Sequence, residues 1–73
     1  GGRIKIGSHF TLLSDEDDED EYTVVGSAEA DATHGRISNE SPVGRAVLGH
    51  RKGDKVDVKV PAGVIKYSIV SVD

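Results

Sequence analysis

Ile37-Ser38-Asn39-Glu40-Ser41-Pro42-Val43-Gly44-Arg45-Ala46-Val47-Leu48-Gly49 reads as a strand end, a helix cap, one short helix and a glycine stop. Ser41 is placed as N-cap, where its hydroxyl accepts a bond from an unpaired amide of the first turn. Pro42 follows at the first helical position, where its missing N–H is no loss and its fixed φ suits the helix. Gly49 can adopt the left-handed conformation that ends a helix. Val43, Ala46 and Val47 stand at i, i+3 and i+4 and give the helix one small apolar face. A helix predicted over Pro42 to Leu48 is too short to hold its shape alone and must dock on something larger.

Strand signals lie on both sides of it. Lys55-Val56-Asp57-Val58-Lys59-Val60 alternates strictly, so the three valines share a buried face. Pro61-Ala62-Gly63 supplies a turn into Val64–Val72, a long last strand. Ile65, Tyr67 and Ile69 fall on one of its faces and Val64, Val70 and Val72 on the other, which marks an interior strand. Upstream, His9 to Leu13 and Tyr22 to Gly26 flank a polar turn and read as an antiparallel hairpin. Arg3 to Ile6 is either a first strand or the approach to one. The expected architecture is α+β, a strongly bent antiparallel sheet with one short helix packed on it.

Seventy-three residues allow one domain, residues 1–73, which buries roughly 60–65% of its unfolded surface. There is no cysteine, so neither disulfides nor thiolate metal sites contribute. No long apolar run or signal-peptide pattern appears, and a cytoplasmic protein is the default. Gly1-Gly2 reads as the end of a linker or a cloning remnant and is given no role. The formal charge of −4 hides an asymmetry. Asp15 through Glu21 is seven consecutive acids, and without them nine Lys/Arg face six Asp/Glu, a net +3. The expected molecule is a mildly basic body with one acidic tip, short of the dense basic surface that nucleic-acid binding needs.

Gly7-Ser8-His9-Phe10-Thr11-Leu12-Leu13, Glu21-Tyr22-Thr23-Val24-Val25-Gly26 and Ala28-Glu29-Ala30-Asp31 come first along the chain. The Ile37–Gly49 segment, Gly53-Asp54-Lys55-Val56, and Pro61-Ala62-Gly63 running into Tyr67-Ser68-Ile69-Val70 follow. This order of landmarks resembles the C-terminal domain of the Gre (GreA/GreB) transcript-cleavage factors of bacterial RNA polymerase. Each piece is weak alone, and six in family order make a strong joint signal. The resemblance implies an FKBP-like fold and an elongation factor that helps rescue backtracked polymerase by stimulating transcript cleavage. It also implies a docking end that meets the coiled coil at the rim of the polymerase secondary channel. By resemblance the contacts are Asp31, Ile37, Ser38, Ser41 and Pro42, with Glu29 at the margin. Ser41 and Pro42 already have a capping job and Ile37 a place in the core, which leaves Asp31 and Ser38 as the first positions to test. The chain departs from the family in a longer acidic turn and in Pro-Ala-Gly where Pro-Gly-Gly is commoner. The family's N-terminal coiled coil, whose tip acids hold catalytic Mg²⁺, lies outside this sequence, and its role does not pass to Asp15–Glu21.

The remaining chemistry is weighed against plainer readings. The acidic run lacks EF-hand spacing and reads as a solvated turn. His9, His34 and His50 are scattered and form no zinc pattern. Ser38, His34 and Asp31 make a triad only on paper, without a nucleophile elbow. Gly44 to Gly49 has the glycine spacing of a phosphate loop, but His50 and Arg51 stand where Lys and Ser/Thr are required. Arg45, Arg51, Lys52, Lys55 and Lys59 form a loose basic region offset by Asp54 and Asp57. Phe10, Tyr22 and Tyr67 are too few for a single-strand stacking platform or a prolyl isomerase pocket. The expectation is therefore a binding module and not an enzyme: no cofactor, no metal, polymerase as partner, nucleic acid only through it, no membrane, and a monomer. The alternative is a Gre-like paralogue, either an anti-cleavage polymerase inhibitor or a nucleoside diphosphate kinase regulator, with an FKBP-type isomerase as a remote third option.

Overall fold

The computed structural model describes residues 2–73; Gly1 lies outside the described residues. Five strands form one sheet: β1 (His9–Ser14), β2 (Glu19–Val25), β3 (Arg36–Ser38), β4 (Lys55–Val60) and β5 (Gly63–Val72). One helix, α1 (Pro42–Val47), follows β3, and two short 3₁₀ turns, Ser27–Glu29 and Ala32–His34, fill the β2–β3 connection. The strand order is β3-β2-β1-β5-β4.

β1, β4 and β5 are where alternation and turn residues put them, and β5 is interior as expected. The sheet is mixed rather than wholly antiparallel. β3 runs parallel to β2, with Val24 opposite Ile37. A parallel neighbour needs a crossover instead of a tight hairpin, and the connection between Val25 and Arg36 supplies it. The strand end at Ile37–Ser38 was legible, but its direction depends on that crossover.

The acidic run also divides. Only its first half turns: Ser14 Oγ accepts from the N–H groups of Glu16 and Asp18, and Asp17 sits at φ 66°. Glu19, Asp20 and Glu21 continue as the exposed start of β2, opposite Leu13, Leu12 and Thr11. Pairing with β1 extends the strand through three acids whose side chains stay in water.

β5 carries a bulge. Leu12 pairs with Ile69 but Thr11 with Ser71, so Val70 is the extra residue. The bulge reverses the alternation beyond it. Val72 therefore joins Ile69 and Tyr67 against the core, not Val64 on the other face as strict alternation predicts.

The core consists of Ile4, Phe10, Leu12, Val24, Val47, Val56 and Ile69, with Val58 also buried. Phe10 and Tyr22 meet with ring centroids 6.0 Å apart at a 39° tilt. Arg3 to Ile6 proves to be an approach, outside the sheet. Ile4 is buried and exchanges backbone bonds with the end of the helix segment: its N–H donates to the His50 carbonyl (2.7 Å), and its carbonyl accepts from Gly49 (2.8 Å).

α1 packs against both edge strands, β4 and β3. Edge strands of a flat five-stranded sheet lie roughly 19 Å apart at ~4.8 Å per neighbour. A six-residue helix is only about 9 Å long. One short helix reaches both edges because the sheet is curled, and Val47 fills the hollow with Val43, Ala46 and Leu48 around it. Helix and stop match the sequence reading to one residue, with Leu48 as C-cap and Gly49 at φ 83°.

Candidate functional site

Ser41 caps α1 as expected, its Oγ accepting from the Gly44 N–H at 3.1 Å. The same hydroxyl donates to the Ser38 carbonyl at 2.7 Å, and the Ser41 N–H donates to that carbonyl at 3.0 Å. Ser38 Oγ accepts from the Glu40 N–H at 3.0 Å. Residues 38–41 are thus a self-bonded turn joining β3 to the helix. Gly44 lets the helix lie close over it: a Cβ there would stand 2.1 Å from the Ser38 carbonyl oxygen. That close approach, not a phosphate loop, explains the glycine.

The turn leaves two groups in water. Pro42 is exposed at the head of α1, and Glu40 is exposed beside it. Both border an open groove of about 390 Å³ also lined by Arg45, Ala46, Asp57 and Lys59. Ile37 is half-buried and packs on the core. Glu29 is exposed in the first 3₁₀ turn, whose Ser27 Oγ lies 3.0 Å from Ser38 Oγ and donates to Glu40 Oε1 at 3.3 Å.

Asp31 sits at the opposite end of β3, exchanging backbone bonds with Arg36 at 2.8 and 3.0 Å. Two residue steps along the strand separate Arg36 from Ser38, about 7 Å. The candidates therefore form one rim, with Ile37, Ser38, Ser41 and Pro42 clustered and Asp31 set apart. Asp31 and Ser38 prove to have as firm a structural role as Ser41. The Asp31 carboxylate accepts from Thr33 Oγ1 (2.6 Å) and Thr33 N–H (3.2 Å), and lies 2.6 Å from His34 Nδ1. The Thr33 hydroxyl bond, then the His34 bond, hold its carboxyl below the usual range. Asp54 is lowered likewise, by His50 first and then by the Arg51 N–H.

A carboxyl lowered by folding stabilises the fold above its ordinary value, and that contribution is lost as pH falls through the lowered value. The Asp31 carboxyl is therefore expected to titrate by NMR below about 3.9, the unperturbed value, with the Thr33 amide losing protection in the same step. In Asp31→Asn that step disappears. A wild-type midpoint at or above the unperturbed value would contradict the cap.

All three histidines face carboxylates. Besides His34, His9 Nδ1 lies 2.6 Å from Asp73 with Nε2 3.3 Å from Glu21, and His50 Nδ1 lies 3.0 Å from Asp54. Ser38 Oγ engages Ser27 and Glu40 rather than His34, so the paper triad is not assembled. Among the described residues no group of three or more His, Asp or Glu converges as a metal site. No helix there is long and apolar enough to cross a membrane.

Sequence reasoning passed over Ser27 and Glu40. Glu40 carried a signal, since it stands two residues after a serine whose hydroxyl can cap its N–H. Ser27 carried none, because its contact arises only when the crossover folds the first 3₁₀ turn against β3.

These features define a curled α+β half-barrel whose rim is a capped, self-bonded turn. The family model described as "Transcription elongation factor, GreA/GreB, C-term" matches residues 1–73. Transcription elongation factor GreA of Chloroflexus aggregans is 50% identical over 72 residues, covering 97% of this chain and 46% of the relative. The GreA of Thermoanaerobacter pseudethanolicus is 55% identical over 71 residues, covering 96% and 45%. Among solved structures, GreA factor homolog 1 (Gfh1) of Thermus thermophilus superposes with a TM-score of 0.86 at 34% identity, covering 100% of this chain and 49% of that one. The GreA/GreB factor of Nitrosomonas europaea gives 0.79 at 29%, covering 97% and 60%. The chain belongs to the GreA/GreB family of transcription elongation factors and corresponds to its C-terminal domain. It spans just under half the length of the curated relatives it matches.

Proposed function

We propose that this domain docks a transcription elongation factor on bacterial RNA polymerase, at the coiled coil on the rim of the secondary channel, through the surface around residues 38–42. The observation that carries the reading is the self-bonded turn, which ties up the Ser38 carbonyl and the Glu40 and Ser41 N–H groups internally and leaves the Pro42 ring and the Glu40 carboxylate exposed. A rigid apolar face beside a carboxylate suits a partner helix that presents basic side chains. Ile37, Ser38 and Ser41 shape this contact, and Asp31 and Glu29 lie at its edge. The domain binds without catalysing and needs no cofactor. It meets nucleic acid only through the polymerase, works as a monomer and acts in the cytoplasm. In a parent protein that carries the family's coiled-coil arm, that arm would stimulate transcript cleavage in backtracked complexes. The elongation-factor reading is favoured over the paralogue because relatives about 50% identical carry the name GreA, whereas Gfh1 structures are 33–35% identical.

The test is binding of the chain to core RNA polymerase beside a Glu40→Ala, Pro42→Ala variant. The variant is expected to bind on the order of tenfold or more weakly while keeping a cooperative unfolding transition. A folded wild-type chain that does not bind, or a variant that binds equally, would overturn the assignment.

A further inference from the structure

We infer that Ser27 is a positioning residue for the docking surface, holding Glu40 in the orientation in which its carboxylate meets a cationic side chain of the partner. The inference rests on the docking reading and deepens it.

Proton counting fixes the arrangement. The Ser27 hydroxyl has one proton and donates it to Glu40 Oε1 at 3.3 Å. Its 3.0 Å contact with Ser38 Oγ must then be donated by Ser38. Having spent its proton, Ser38 Oγ accepts from the Glu40 N–H at 3.0 Å. The bonds run Glu40 N–H to Ser38 to Ser27 and back to the Glu40 carboxylate, a closed ring that begins and ends on one residue. Bonds chained in this way polarise one another in the same sense. The ring ties two segments eleven residues apart, the first 3₁₀ turn and the β3–α1 turn. It engages Oε1 and leaves Oε2 for the partner. A glutamate is long and rotamer-rich, and one already held loses less freedom on binding. Ser27 thus acts on the partner through Glu40, from a turn that belongs to neither β3 nor α1.

The experiment measures affinity for core RNA polymerase in a cycle of Ser27→Ala, Ser27→Thr, Glu40→Ala and the double variant Ser27→Ala, Glu40→Ala. Ser27→Ala is expected to weaken binding about three- to tenfold, the worth of an ordinary hydrogen bond. Ser27→Thr restores it, because the hydroxyl is kept. In the Glu40→Ala background the Ser27→Ala effect shrinks towards none, as a residue acting through Glu40 requires. Unchanged binding in Ser27→Ala, or an equal loss in both backgrounds, would overturn the assignment. If the folded wild-type chain binds no polymerase, the docking reading fails on its own. The ring is then judged in the free protein from the Glu40 side-chain couplings. One held rotamer that averages in Ser27→Ala supports it, and averaging already in wild type overturns it.

Discussion

Phe10→Ala is expected to leave the domain largely unfolded. Phe10 is fully buried at the middle of the core, on the strand between β2 and β5, and its ring packs on Tyr22. Truncating a buried phenylalanine costs about 3–5 kcal/mol, through lost transfer energy and the cavity left behind. At ~0.05–0.15 kcal/mol per residue a chain of this size has about 4–11 kcal/mol to lose, and small domains sit low in that range. The cavity cannot collapse easily, because Leu12, Val24 and Ile69 around it belong to three hydrogen-bonded strands. Circular dichroism and urea titration decide the matter. A variant that keeps a cooperative transition near the wild-type midpoint would mean that the curled sheet, and not the ring, carries the stability.

Ser41→Ala is expected to cost about 1–2 kcal/mol, the upper half of the range for a lost N-cap, and to weaken polymerase docking as well. The hydroxyl serves twice, accepting from the Gly44 N–H and donating to the Ser38 carbonyl. Removing it unpins the helix start and one side of the turn that presents Glu40 and Pro42. Ser41→Asp separates the two effects. Its carboxylate can cap the helix and complements the positive helix end, but it has no proton for the Ser38 carbonyl. Urea unfolding of Ser41→Asp should therefore return most of the way to wild type while binding does not. Equal recovery of both would show that the cap alone holds the turn.

The two tests mark where the sequence was legible. Phe10 and the valines of β4 declare themselves through alternation, because a strand with one wet face must alternate. The Ser41-Pro42…Gly49 frame declares its helix, because caps and stops are local chemistry. What alternation misses is whatever interrupts it: the extra residue Val70 moved Val72 to the core face, and pairing with β1 carried β2 back through three acids expected in a turn. Direction was lost for a similar reason, since β3 is parallel only because of the crossover before it. The candidate residues came from resemblance, and the structure places Ser38, Ser41 and Pro42 together with Ile37 behind them. The premise that ranked them does not hold. Asp31 and Ser38 looked idle because their partners, Thr33, His34 and Ser27, are set by the fold of the connection and not by any local pattern.

The strand order also sets when this domain comes into being during synthesis. β5 is translated last, yet it lies between β1 and β4. Until residues 63–72 have left the ribosome, β1 and β4 each lack their neighbour on that side, and the helix segment has no closed trough to lie across. A nascent chain can form the β1–β2 hairpin early, but the pairing of residues 10–14 with 67–72 spans nearly the whole length and is slow to find. The domain therefore closes late, and a nascent chain without β5 lacks the strand that joins β1 to β4.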